Sequence, residues 1–304
     1  GDIGACGDAA TKLSTVQGTG VSSPLSGSTV VVEGIVVADY QDDDLNGFFV
    51  QEEDTDRDSD LLTSEGIFVA EGSLAVPVSV GQRVRVRGTV AEVSNLTQLT
   101  APTGALVCPT AGVASSTNLT LPVNAASDLE RYEGMLVNIT QTLTVTSNFE
   151  WGRFGSLDLS VNGRLYQPTN VVEPGAAAAA RQDLNNRSRI ILDDLSNVQN
   201  PSPIPYKDAN NTRRLGDTLS SLTGVLSGAF AAYRVHPTVA PVFSGANPRP
   251  VAPDPVGGRL RIASFNVLNY FTTLDTGAAV CGPTGGLDCR GANTAAELTR
   301  QRTK

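Results

Sequence analysis

The chain has one histidine, His236, one methionine and one tryptophan, and aromatic residues make up 5% of its 304 positions. A Ser-His-Asp triad or a multi-histidine zinc site would have to use that histidine or do without. Its setting, "YRVHPTVAP", reads instead as a polar residue at the end of a strand. No apolar run approaches the roughly 18 residues that span a bilayer, so no transmembrane segment is expected. Basic residues are also scarce: 22 Lys and Arg against 31 Asp and Glu give a net charge of −9. That excludes a broad basic surface for nucleic acid but leaves room for a local groove. A basic n-region is missing too. Gly1 opens a Gly/Ala/Asp-rich segment, as a processed N-terminus or an arbitrary chain start would.

What is present points to β-structure. Apolar residues reach 40%, too many for a disordered chain. Thirty Gly and 17 Pro, among many Val, Thr and Ser, predict short strands and frequent turns. The length leaves room for two or three domains. Four cysteines allow three pairings. Cys281 and Cys289 flank the short loop "CGPTGGLDC", which Gly and Pro can fold back on itself, and that pairing leaves Cys6 with Cys108. Two disulfides imply an oxidising compartment, and four free thiols in the cytosol are the alternative.

Residues 1–112 read as a first β-domain. "STVVVEGIVVADY" (28–40) is β-branched with a mid-strand glycine, Gly34, the mark of a bulge or barrel bend. "NGFFVQEE" (46–53), "EGIFVAEG" (65–72) and "VSVGQRVRVRGTVAEV" (78–93) follow. Residues 113–245 echo this block. "RYEGMLVNITQTLTVTSN" (131–148) is a long strand broken at Gly134, and "GSLDLSVNGRLYQPT" (155–169) reads as a hairpin around Asn162-Gly163. "LGDTLSSLTGVLSGAFAAYRVHPT" (215–238) parallels "VGQRVRVRGTVAEVSNLTQLT" (80–100), a weak internal duplication. The alanine run in 173–189 predicts a helix. Mainly β, with two OB-fold-like antiparallel barrels in tandem, is the expected fold, and a β-sandwich is its competitor. Residues 246–258 read as a Pro/Gly linker. Residues 259–304 read as a buried strand, "RLRIASFNVLNYF", and a helix start capped at Asn293 or Thr294, the beginning of a truncated α/β domain.

Two clusters invite a chemical reading. In "DTDRDSDLLTSE", Asp54, Asp56, Asp58, Asp60 and Glu65 fall at positions 1, 3, 5, 7 and 12 of an EF-hand loop, a supply of hard oxygens for Ca²⁺. Position 6 is Ser59 rather than Gly, the flanks read as strands, and a solvated acidic loop is the alternative. In "RVRVRG", period two puts Arg83, Arg85 and Arg87 on one sheet face. With Tyr40, Phe48 and Phe68 as stacking rings, that face would suit a single-stranded nucleic acid. An outward polar face paired with acidic neighbours is the alternative.

The segment "LRIASFNVLNYF", with the Cys-flanked loop and "CRGANTAAELTRQRTK", resembles the start of the exonuclease–endonuclease–phosphatase superfamily, specifically its large secreted bacterial nucleases. "STVQGTG", "GFFVQEE", "GIFV", "VGQRVRVRGTV", "LERYEGMLV", "GRLYQPTN" and "GDTLSSLTGVLSG" resemble the OB-like domains upstream of the catalytic domain in those proteins. The resemblance implies an extracellular or cell-surface setting, DNA as substrate, and Mg²⁺ held in part by Asn266. It places the metal-binding Glu, the catalytic His and Asp residues and the closing Asp-His pair beyond Lys304. Hydrolysis needs a metal and groups that make and aim a nucleophile. The expectation is an accessory region of a metal-dependent endonuclease that does not itself cleave DNA. A non-enzymatic, Ca²⁺-stabilised module of a cell-envelope assembly, docked to an envelope protein, is the alternative of a different class.

Overall fold

The computed structural model describes residues 2–72, 76–229, 232–267 and 270–303. The chain divides into two compact units, Gly1–Arg249 and Pro250–Lys304.

The first unit opens with a closed five-stranded barrel. A short helix, α1 (Leu13–Gln17), precedes β1 (Thr29–Tyr40), β2 (Gly47–Gln51), β3 (Gly66–Ala70), β4 (Arg83–Val93) and β5 (Leu96–Val107). The hydrogen-bonded order is β1-β2-β3-β5-β4, closing on β1. Every pairing is antiparallel except β3 with β5. This is an OB-type arrangement. Alternation carries it: Val84, Val86 and Val90 of β4 face inward with Val32, Val50, Ile67 and Leu99. Leu13 and Val16 of α1 plug the same core. Between β4 and β5, Ser94 (φ 54°) and Asn95 (φ 69°) both adopt positive φ, as a two-residue type I′ hairpin requires.

The second half of the unit repeats the order. Its strands are β6 (Thr117–Asn118), β7 (Leu136–Ile139), β8 (Leu143–Ser147), β9 (Leu157–Ser160), β10 (Arg189–Leu192), β11 (Thr218–Leu219), β12 (Leu222–Ala229), β13 (Ala232–Pro237) and β14 (Phe243–Ser244). A 3-10 turn (Ala126–Tyr132), α2 (Trp151–Phe154) and α3 (Ala176–Arg187) lie between them. The sheet runs β14-β11-β8-β9-β10-β13-β12-β7-β6. Because β7 and β8 are successive segments of chain, the sheet curls round its own core of Ile139, Leu143, Leu159, Leu192, Leu226 and Val235; this second barrel is a half-barrel, an open nine-stranded sheet, so of the two barrels expected only the first is closed. Here β10 pairs in parallel with β13, as β3 does with β5. Gly81 and Gly216, the turn glycines of the duplicated motif, have φ of 89° and 94°.

Two local expectations are corrected. The long strand over 131–148 is a 3-10 turn followed by β7 and β8. The hairpin around Asn162-Gly163 turns but does not close. Residues 164–167 form no strand, Pro168 opens a short 3-10 turn, and β9 pairs instead with β10, Leu157 opposite Leu192. Proline has no N–H for a ladder, and α3 carries the chain back to the sheet.

In the second unit the expected strand over 259–271 is absent among the described residues; Leu268 and Asn269 of that stretch lie outside them. Leu260, Ile262 and Phe265 are 80–87% exposed. A strand needs an extended neighbour to pair with along its length, and residues 259–267 belong to no strand pairing among the described residues. The Cys281–Cys289 disulfide closes its loop over a paired Cys281 and Leu287 backbone. Helix α4 (Ala295–Thr303) begins at Thr294, whose Oγ1 accepts from the Glu297 N–H while the Glu297 carboxylate accepts from the Asn293 N–H.

Candidate functional site

Arg83, Arg85 and Arg87 do share one face of β4, opposite the inward Val84 and Val86, but it is not an open basic groove. Arg83 pairs with Glu53, and Arg87 donates to Thr103 Oγ1 at 2.6 Å. Arg85 is 2% exposed. Its guanidinium meets Glu33 at 2.9 Å and the carbonyls of Ile3, Asp8 and Ala9 at 2.6, 2.9 and 2.9 Å. The N-terminal segment, fastened by the Cys6–Cys108 disulfide, lies across this face. Beside it a cleft of about 300 Å³ is lined by Asp8, Lys12, Glu33, Glu52, Glu53 and Arg83. Lys12 already spans Glu52 (2.9 Å) and Asp56 (3.3 Å) there.

The three rings expected as stacking platforms are buried. Phe48 belongs to the barrel core. Tyr40 and Phe68 join Phe49, Val37 and Leu96 in an apolar cluster with Val225 of the second barrel, against which Leu136 and Leu195 pack. Edge-on aromatic packing explains the choice: Tyr40 and Phe49 centroids are 6.2 Å apart at 80°, and Phe49 and Phe68 4.8 Å apart. His236 sits in the same cluster, 6.1 Å from Tyr40 and 6.2 Å from Phe49. Burial pushes its pKa down to about 4, so it is a neutral imidazole packed at the end of β13.

The five acidic side chains of 54–65 do not converge on one point, although Asp58 and Glu65 face each other. Asp54 accepts from the Ser115 N–H and Oγ, and Asp56 faces Lys12. Asp58 accepts from the Asp60 N–H, Asp60 from the Leu62 N–H, and Glu65 from the Asp58 N–H, all at 2.8–2.9 Å. With Ser59 where an EF-hand needs glycine, the loop winds round its own amides. Asn266 lies in the exposed irregular stretch of the second unit. Among the described residues no group of three or more His, Cys, Asp or Glu is arranged to hold a metal ion. One amide does not make a magnesium site, so no catalytic step is derived through that metal.

What the chain builds with care is the seam between the two barrels, which the sequence did not announce. Gln51 bridges it: its Nε2 donates to the Ser115 carbonyl at 2.9 Å and its Oε1 accepts from the Leu136 N–H at 2.8 Å. Ser64 Oγ donates to the Glu133 carbonyl, and the Thr97 N–H donates to Glu133 Oε1 at 2.8 Å. Gly66 of β3 and Gly134 touch backbone to backbone; a Cβ on Gly66 would stand 2.3 Å from the Gly134 carbonyl. Nothing in a lone Gln or Glu at a strand end signals such a role, because both read as surface residues.

Charge is divided unevenly along this unit. Residues 1–112 hold five Lys and Arg against sixteen Asp and Glu, a net −11, whereas residues 113–249 hold eleven of each. The acidic barrel repels phosphate. No curated protein matches the chain. Residues 96–247 match a family model that begins in β5, at the Leu96 and Thr97 that touch the second barrel across the seam. That match spans half of the chain, which therefore belongs to the family described as "Domain of unknown function (DUF8508)".

Proposed function

We propose that the chain is the accessory region of an extracellular metal-dependent endonuclease, in which the paired barrels form a rigid positioning module rather than a grip on single-stranded DNA. The buried seam carries this reading. The rings and arginines that would bind a strand are spent on internal packing, and the joined barrels make one stiff body from two. The resemblance of "LRIASFNVLNYF" and the upstream motifs to secreted nucleases is what suggests the chemical context, phosphodiester hydrolysis. Two disulfides fit an oxidising compartment.

The test uses purified 304-residue chain with supercoiled plasmid in magnesium buffer, and with labelled single-stranded DNA at low salt. The expected result is intact plasmid and unchanged fluorescence anisotropy up to micromolar protein. Cleavage free of contaminating nuclease, or tight salt-dependent binding, would overturn the reading. The calcium-stabilised envelope module is the second reading, and it is the weaker because no three of the loop carboxylates among the described residues are arranged to hold a metal ion. A calorimetric titration with CaCl₂ separates the two: heat and a raised melting temperature at millimolar metal favour the second.

A further inference from the structure

We propose that the seam between the two barrels is fastened by a proton: Glu133 is held there as the neutral acid, and its ionisation loosens the second barrel from the first. Glu133 follows the 3-10 turn and is fully buried. Oε1 accepts from the Thr97 amide of the first barrel. Oε2 is buried with no hydrogen-bond partner, and no ion pair reaches it among the described residues. The Thr97 hydroxyl also lies near it and favours the ionised form, but donates to Glu92 at 2.9 Å, so an ionised carboxylate so placed would have one committed donor, the Thr97 amide, and no counter-ion among the described residues.

The groups around it offer no relief. Glu130 faces it from its own turn, Glu92 from β4 and Tyr233 from β13. The Tyr233 hydroxyl is already given to Glu130. From β12, Gly228 packs directly on the carboxyl; a Cβ there would stand 2.7 Å from Glu133 Oε2 and 2.3 Å from the Asn95 carbonyl oxygen. Burial first, and then the charges of Glu130 and Glu92, push the Glu133 pKa up to about 8. The direction of the pH effect follows by linkage. A carboxyl whose pKa is raised when the seam is closed stabilises the closed form fully below its free value of about 4.5. That stabilisation is lost as pH rises from there to about 8, and above 8 the seam no longer responds.

Native-state hydrogen exchange on the full chain reads the seam at the amides of Thr97 and Leu136, which both donate across it. Between pH 5 and 8, corrected for base catalysis, their protection is expected to fall by up to about tenfold per pH unit from Glu133 alone. Glu65, beside Ser64, is also raised, to about 7, first by burial and then by Asp58 and Glu52, so the decisive quantity is the difference between proteins. Glu133→Gln should remove about tenfold per pH unit from the slope at Thr97 and Leu136 while leaving Val86 and Ile190 unchanged. Equal slopes in the two proteins would overturn the proposal. If the variant does not fold, the carboxyl carbon-13 shift of Glu133 in the wild-type chain decides: a neutral acid at pH 6 supports the proposal and a carboxylate there ends it.

Discussion

Gly66→Ala should cost the first unit about 3 kcal/mol, at the upper end of the range for overpacking. For a unit of this size that is a fall in melting temperature of about 6–12 °C. The added Cβ would stand 2.3 Å from both the carbonyl carbon and oxygen of Gly134, and 2.6 Å from the Met135 nitrogen. All three atoms are backbone, so no side chain can swing away. The barrels must separate or β3 must bend, and β3 is held on both edges, by β2 and by β5. Gly245→Ala is the control, since a Cβ there meets nothing within 4 Å. Trp151, the only tryptophan, packs against the second core and reports the transition by fluorescence. A Gly66→Ala protein that melts with the wild type would show that the two backbones do not touch.

Arg85→Ala is expected to cost about 3–5 kcal/mol, the range for removing one partner of a buried ion pair. The loss leaves Glu33, which faces Arg85 across the β1–β4 ladder, with the Gly7 N–H but no cation, and takes the guanidinium donor from the carbonyls of Ile3, Asp8 and Ala9. Lysine keeps the charge but cannot present a fork to four oxygens, so Arg85→Lys should fall between the two. The Cys6–Cys108 disulfide secures the same segment across 102 residues. A chain-entropy estimate for a loop that long is about 4.7 kcal/mol, an upper value. Because the guanidinium and the disulfide hold the same stretch, their losses should not add. Urea unfolding of Arg85→Ala with and without reductant measures this, and strict additivity would show that the two fastenings are independent.

Four of the five strands of the first barrel were legible because β-branched alternation is a local signal, and Gly34 and Gly81 marked its bend and turn; β5, with Pro102 and Gly104 inside it, carries no such alternation. The topology of the second half was partly legible, since the echo of 80–100 in 215–238 corresponds to β4 and β12. The Asn162-Gly163 hairpin misled, because a turn dipeptide does not fix which strand its neighbour will join. The site was hardest to read. Tyr40 and Phe68 look alike in sequence whether they face solvent or another domain, and Arg85 looks like its neighbours Arg83 and Arg87 until the N-terminal segment is laid over it. The strand expected over 259–271 shows the converse. Its apolar pattern is plain, but pattern without a pairing edge leaves Leu260, Ile262 and Phe265 in solvent.

The span of the first disulfide has a practical consequence. Two exposed loops of the first barrel, around Asp43 and around Leu61–Leu62, lie between Cys6 and Cys108. A cut in either severs the main chain but frees no fragment. Protein cut once in either loop should therefore keep its intact mass plus one water until a thiol reagent is added, whereas a cut in the exposed stretch around Val251 and Leu260 releases the second unit without one.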